Sequence, residues 1–256
     1  MTVTVAGHFG EWLQGRLGPD GPLALVTLAC PVLAVRIDPA APPLLDAGVL
    51  HRFAAALARP LPPVGLLADM PPGGGAGAST AGLLALARAA GAPDDPDALA
   101  RACLAAEGAT DPLMHPQPDR LLWAPRQARP LRRLPAVPPM EVAGGFWGPP
   151  QRTDPADTAF PDIADLAAAW EGAATAAERA ALATESAART DAARGPSGDP
   201  TPALAAETGA LGRVRAHTGS ARGLVFAPGT LPRHIRARLA EAGLDGALTF
   251  RTGAWP

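Results

Sequence analysis

Pro71-Pro-Gly-Gly-Gly-Ala-Gly-Ala-Ser-Thr80 is the stretch on which the fold turns. Four glycines in so short a segment let the backbone bend tightly with its amides on the inner face. Such a nest of N–H groups holds anionic oxygens. A strongly helical run, Thr80 to Ala90, follows at once, and its N-terminus adds partial positive charge and unsatisfied amides. Ser79 and Thr80 place hydroxyls at that point. A hydroxyl there serves either Mg²⁺ on a phosphate or the helix cap. A flexible loop capped by Ser79 is the competing reading. No Gly-Lys-Ser/Thr occurs, so this is not a P-loop, and no clean GxGxxG is present.

Upstream, Val64 to Asp69 reads as a strand and Val49 to Ala58 as a helix. Thr2 to Ala6 and Leu13 to Leu17 read as strands. Leu23 to Ile37 is long enough for one or two more, broken near Pro31. Downstream, Asp94 to Glu107 is a second helix, with Pro96 near its start. Leu121 to Trp123 and Leu131 to Leu134 suggest a hairpin, and Glu141 to Trp147 a strand. A Pro- and Asp-rich loop spans Gly148 to Phe160. Further helices are expected over 163–170, 175–193, 203–211 and 231–242, and strands over 214–216, 224–227 and 247–250. The mixture predicts an α+β fold.

Composition narrows the function. The chain has 256 residues and a net charge of −2, too balanced for a nucleic-acid or acidic-membrane footprint. It contains no lysine, so any phosphate or carboxylate clamp uses Arg or backbone amides. Cys30 and Cys103 sit in apolar surroundings without metal-ligand spacing, and predict buried, reduced thiols. The N-terminus lacks a basic n-region and the longest apolar run is too short to span a bilayer, so a soluble, cytoplasmic protein is expected.

Three other segments carry chemistry. Gly7-His-Phe-Gly-Glu-Trp-Leu-Gln-Gly15 puts three glycines and an acid between expected strands, as a ligand-contacting loop or an ordinary hairpin. Glu107-Gly-Ala-Thr-Asp-Pro-Leu-Met114 sets two carboxylates four residues apart, as a metal ligand and a base or as a plain helix end. Ala216-His-Thr-Gly-Ser-Ala-Arg-Gly-Leu-Val-Phe226 reads as strand–turn–strand, with the turn facing a site or His217 simply in the core. Arg126, Arg129, Arg132 and Arg133 make a basic stretch. It is read as a solvated sheet face, with contact to nucleotide phosphates or a substrate carboxylate as the lesser alternative.

In order along the chain, these segments resemble the GHMP kinases. Pro71, Gly75, Gly77, Ser79 and Ala81 match the family's Pro-x-x-x-Gly-Leu-Gly-Ser-Ser-Ala-Ala, with Ala76 and Ala78 as departures. Gly10, Glu11, Leu13, Gln14 and Gly15 match the Gly-Glu-Leu-x-Gln-Gly signature of the L-threonine kinase branch, the propanediol-utilisation and cobalamin-synthesis type. His8 and Phe9 depart from it. The 107–114 segment is similar to Glu-Pro-Thr-Asp-x-x-Met with Gly108 for Pro, and 216–224 to Ala-His-Ser-Gly-x-x-x-Gly-Leu.

The resemblance implies a ribosomal-protein-S5-domain-2-like ATP-binding lobe over 1–135 and an α/β sandwich lobe over 136–256. It implies ATP on Pro72, Gly73, Gly74, Gly75, Ala76, Gly77, Ala78, Ser79 and Thr80, and Mg²⁺ on Ser79 and Glu107. Asp111 would be the base or orienting group. Gly10, Glu11, Gln14, His217, Thr218 and Gly219 would face the substrate. The implied acceptor is a hydroxy amino acid, L-threonine, giving L-threonine O-3-phosphate for the cobalamin nucleotide loop. Homoserine or a sugar as acceptor, or a nucleotide-binding regulator without catalysis, are the alternatives.

Overall fold

The computed structural model describes residues 3–253. Thr2, expected to open the first strand, lies outside them. Nine strands form one sheet, in the order β5-β4-β2-β1-β7-β8-β6-β9, with β3 paired to β2. The strands are β1 (Thr4–Arg16), β2 (Leu23–Ile37), β3 (Leu66–Ala68), β4 (Leu121–Ala124), β5 (Arg129–Arg133), β6 (Glu141–Phe146), β7 (Gly212–Arg215), β8 (Ala221–Phe226) and β9 (Asp245–Arg251). The helices are α1 (Ala47–Leu57), α2 (Ala78–Ala89), α3 (Pro96–Glu107), α4 (Ala164–Gly172), α5 (Ala176–Arg194), α6 (Thr201–Thr208) and α7 (Ile235–Glu241). Every ladder between named strands is antiparallel. The α+β expectation and the order strand, glycine loop, helix, helix are what is observed.

One expectation is corrected. Residues 7–15 do not form a loop between two strands but lie inside the single strand β1. The pairing with β2 absorbs Gly7 and Gly10 as irregularities, with register shifts at Ala6/Gly7, His8/Glu11 and Glu11/Leu13, while Gly15 pairs regularly with Ala24. Bulges of this kind bend a strand and re-aim its side chains. Here they put Phe9 between Phe146 and Phe250, at centroid distances of 5.8 and 5.9 Å, and leave His8 and Glu11 on the cleft. Pro31 falls in the matching gap of β2, between Cys30 paired with Gly7 and Ala34 paired with Ala6. There its missing N–H costs no ladder bond.

Gly10 shows why glycine is required in this strand. Its φ is 65°, and a Cβ there would sit 2.7 Å from backbone atoms of both Arg215 and Ala216. Backbone cannot yield as a side chain can. Gly10→Ala is therefore expected to destabilise the fold by about 2–4 kcal/mol, the sum of backbone strain and overpacking. Chemical denaturation at constant m-value checks this.

The helix α2 is buried on all sides; nine of its residues, including Leu83, Leu84 and Leu86, are inaccessible. A helix apolar all round belongs in the middle of a core. That position fixes its N-terminus, and so the glycine loop, inside the molecule. The helix α3 carries an Asp95 N-cap, Pro96 in its first turn and Gly108 at its C-cap with φ 78°. A proline at 108 would not fit that left-handed backbone, so the departure from the family pattern has a local cause. Both cysteines are buried and unpaired, and burial pushes the Cys30 thiol up to about 12. Among the described residues no helix is long and apolar enough to cross a membrane. The 135/136 division falls between β5 and β6, and one sheet continues across it.

Candidate active site

The glycine loop joins β3 to α2. Gly73, Gly75 and Gly77 have φ of 76°, 74° and 74°, so every second residue takes the left-handed conformation. The carbonyls of Gly73, Gly74, Gly75 and Ala76 all accept hydrogen bonds. Gly73 O accepts from Gln151 N at 2.8 Å. Gly74 O accepts from Ser220 N and Ala221 N at 3.0 and 2.8 Å. Gly75 O accepts from Gly10 N at 3.0 Å, and Ala76 O from His8 N at 3.1 Å. Strand β1, the β7–β8 turn and the 148–160 loop thus hold the loop by its oxygens. No described protein group accepts from the N–H groups of Gly75, Ala76 or Gly77. They border a cleft of about 310 Å³, together with the free amides of the α2 N-terminus. An anion-binding nest is what remains when carbonyls are tied back and amides are not.

Side chains at positions 75 and 77 are excluded by what packs there. A Cβ on Gly75 would meet Ala216 Cβ at 2.2 Å and Thr218 O at 2.6 Å, and one on Gly77 would meet His8 Cδ2 at 2.5 Å. Gly219, with φ 111°, sits behind the loop, 2.5 Å from Gly75 N on the same test.

Two pairs of side chains line the same cleft. The Ser79 hydroxyl donates to the Glu107 carboxylate across the start of α2 and the end of α3. Burial pushes the Glu107 carboxyl above its usual range. The Ser79 hydrogen bond opposes this, and the nearby Asp111 charge adds to it. Deeper in, His8 Nε2 lies 3.2 Å from Asp111 Oδ2, while His8 Nδ1 lies 3.2 Å from the Gly10 carbonyl. Both ring nitrogens therefore face acceptors, which suits the imidazolium. Burial works against a charged His8, but the Asp111 carboxylate, with Glu11 and the Gly10 carbonyl, outweighs it and pushes the pKa up to about 9. Burial likewise works to raise Asp111, but His8 and the Thr80 hydroxyl, at 3.4 Å, hold it below the usual carboxylate range. Glu11, on the other side of His8 at 4.0 Å, is pushed by burial up to about 7.

His8 and Glu11 both bind a proton more tightly folded than unfolded, so both make stability fall as pH rises. The Glu11 contribution is complete below 4.5 and lost by about 7; that of His8 is complete below 6.5 and lost as pH passes about 9. The melting temperature is expected to fall from pH 6.5 to 9.5, and to fall less in His8→Gln; scanning calorimetry across that range checks it.

The sequence-derived residues divide cleanly by position. Pro72 through Thr80, Glu107, Asp111, Glu11, Gln14 and Thr218 line the cleft. Gly10, His217 and Gly219 do not. Gly10 and Gly219 are spacers against Arg215 and the glycine loop. The His217 ring bonds to Thr190 and stacks on Phe160 at 6.0 Å, while its backbone N–H donates to Glu11 Oε2 at 3.2 Å. Sequence reasoning passed over His8 as a mere departure, although a histidine amid strand glycines is a titratable group with little room to be anywhere but a wall. It also missed Leu44, Leu45 and Val49, which line the cleft beside the glycine loop; a Pro-Pro-Leu-Leu run gives no signal of that.

Similar solved structures cover the whole chain. A mevalonate kinase from methicillin-resistant Staphylococcus aureus shares 16% identity over 99% of each chain, with a TM-score of 0.62. The Methanococcus jannaschii mevalonate kinase shares 10% identity over 98% of this chain and 97% of that one, with a TM-score of 0.58. A putative homoserine kinase from Listeria monocytogenes shares 16% over 98% and 94%, with a TM-score of 0.56. The fold is that of the GHMP kinases. No protein-family model and no curated protein matches the sequence. At these identities the GHMP fold is shared while most side chains are not, so the chemistry rests on this chain's own residues.

Residues fit to hold a divalent cation are present in this GHMP fold. Ser79 and Glu107 bring two oxygens together where the nest would place phosphates. Among the described residues no group of three or more His, Cys, Asp or Glu forms a metal cage. Mg²⁺ is commonly held by one or two protein oxygens plus phosphates and water, and this donor set fits that pattern.

Proposed function

We propose that this chain is an ATP-dependent kinase that phosphorylates the hydroxyl of a small metabolite, L-threonine in the first instance. The observation that carries the reading is the joint placement, on one cleft, of an amide-only loop face and an aspartate gripped by a buried histidine. The adenine would rest on Leu44, Leu45 and Val49, and the triphosphate on the amides of Gly75 to Ser79. Ser79 and Glu107 would hold Mg²⁺, which when bound supplies positive charge to the phosphate oxygens.

Asp111 accepts the hydrogen bond of the acceptor hydroxyl and aims its oxygen at the γ-phosphorus. An aspartate held this acidic is a weak base. In a loose transition state that suffices, because the oxygen needs orientation more than early deprotonation. As the new P–O bond forms and the bond from phosphorus to the β–γ bridging oxygen breaks, the hydroxyl proton passes to Asp111 and ADP leaves with the bond's electron pair. The loop amides stabilise charge on the transferring group, and their tied carbonyls keep them from reorganising. His8 keeps Asp111 ionised and fixed. The two lobes over 1–135 and 136–256 and the threonine branch are part of the same proposal, supported by the motifs at 10–15 and 71–81.

The test is an acceptor panel with Mg²⁺ and ATP: L-threonine, L-homoserine, mevalonate and a hexose. Threonine-dependent ADP release at least tenfold above homoserine supports the assignment. Equal rates on both, or a preference for mevalonate, remove threonine as the acceptor.

A further inference from the structure

The end of the cleft beyond Asp111 is walled by groups that the phosphoryl-transfer machinery does not use. Gln14 on β1 pairs with Leu25 on β2, and Leu25 pairs with Trp123 on β4, so the three stand abreast on neighbouring strands. With strands about 4.8 Å apart, the row is about 10 Å wide at the backbone. Gln14 and Leu25 line the cleft, as does Arg126 three residues past Trp123. Thr110 N donates to Pro125 O at 3.0 Å, which docks this turn beside Asp111.

Arg126 differs from its neighbours in the basic stretch. Arg132 pairs with Glu171, while Arg129 and Arg133 donate to Gln127 and Gln117; all three lie off the cleft. The Arg126 Nη2 donates only to backbone carbonyls, those of Asp157 and Asp154, and its guanidinium lies 5.8 Å from the Phe160 ring centre. Asp157, whose carboxylate feels the Arg126 charge, is paired with Arg194 at 2.6 Å. Two guanidinium groups thus share one carboxylate, and of the three only Arg126 lines the cleft. An arginine aimed by carbonyls, whose neighbouring carboxylate is bonded to another arginine, is arranged for an incoming anion. On the same wall, the side-chain carbonyl oxygen of Gln14 is buried and has no described hydrogen-bond partner. A buried acceptor without a donor costs about 1–3 kcal/mol, which a ligand N–H would relieve.

We propose that Arg126 and Gln14 read the two ends of a zwitterionic acceptor: the guanidinium takes its carboxylate and the glutamine carbonyl its ammonium. This rests on the kinase reading above, and it names the acceptor as an amino acid by its own contacts rather than by motif. A neutral polyol would bring no charge to the guanidinium, and a hydroxy acid without nitrogen would bring no charged donor to the glutamine carbonyl.

Three acceptors dissect the pair: L-threonine, 3-hydroxybutyrate, which lacks the ammonium, and 1-amino-2-propanol, which lacks the carboxylate. Each is measured with wild type, Arg126→Gln and Gln14→Leu, by initial rate with Mg²⁺ and ATP. Binding is measured by calorimetry with Mg²⁺ and a non-hydrolysable ATP analogue. Arg126→Gln is expected to raise the threonine KM about 10- to 100-fold, leave the KM for ATP within about twofold, and change nothing for 1-amino-2-propanol. Gln14→Leu should weaken threonine about tenfold and leave 3-hydroxybutyrate unaffected. Arg126→Lys, which keeps the charge without the fork, should fall between wild type and Arg126→Gln, and guards against a folding defect in the latter.

Threonine bound through Arg126 but never phosphorylated would uphold the two-point recognition and remove the kinase reading. Phosphate transfer to either truncated acceptor as fast as to threonine would do the reverse. So would an Arg126→Gln enzyme with unchanged threonine KM. Binding and transfer both absent for all three compounds would overturn the recognition as well.

Discussion

Asp111→Asn lowers the rate of phosphoryl transfer by about 10²–10⁴-fold while ATP binds as before. The asparagine keeps the volume and the Thr80 contact but has no charge for His8 and takes no proton from the acceptor. The His8 ring packs against Gly77, but the Asp111 carboxylate meets only His8 and the Thr80 hydroxyl and none of the loop amides, so the loss should appear in kcat and not in nucleotide affinity. Stopped-flow nucleotide binding beside steady-state turnover separates the two. A variant that loses ATP binding in parallel would mean that Asp111 supports the loop and not the acceptor.

Glu107→Gln gives the second large effect, a drop in kcat of about 10²–10³-fold together with a raised Mg²⁺ requirement. Burial already disfavours the bare Glu107 carboxylate, and a cation beside it restores the ionised form. The wild-type enzyme should therefore bind Mg²⁺–nucleotide less well as pH falls, because a proton competes with the metal for Glu107. Glu107→Gln should lose that dependence. Magnesium titrations at several pH values read both outcomes. The Ser79 hydroxyl, which donates to Glu107, should matter less than the acid, since it brings no charge.

What was legible in the sequence follows from how local each signal is. The glycine loop and α2 were readable because both are dictated by adjacent residues: left-handed backbone at alternate positions, then an unbroken helical run. The carboxylates at 107 and 111 were readable because a helix end and a short turn carry both. The path of β1 was not, because a strand that absorbs two glycines in bulges looks like two strands and a loop until its partner's register is known. The pairing of His8 with Asp111 spans a hundred residues of chain and has no sequence signature. For His217 the reading of the turn held but the side chain faces Thr190, away from the cleft, a matter of rotamer and packing that no spacing encodes. Arg126 entered the sequence reading only as one of four similar arginines; the sheet register singles it out.

The account stands or falls on whether γ-phosphate leaves this cleft for an acceptor hydroxyl held by Asp111. A single-turnover experiment with γ-labelled ATP in deficit, Mg²⁺ and excess L-threonine, run on wild type and Asp111→Asn side by side, measures that directly. Label moving to threonine in the wild type, and staying on bound ATP in the variant, is the expected result. Label released equally by both proteins, or no ATP held by the wild type at all, would contradict it.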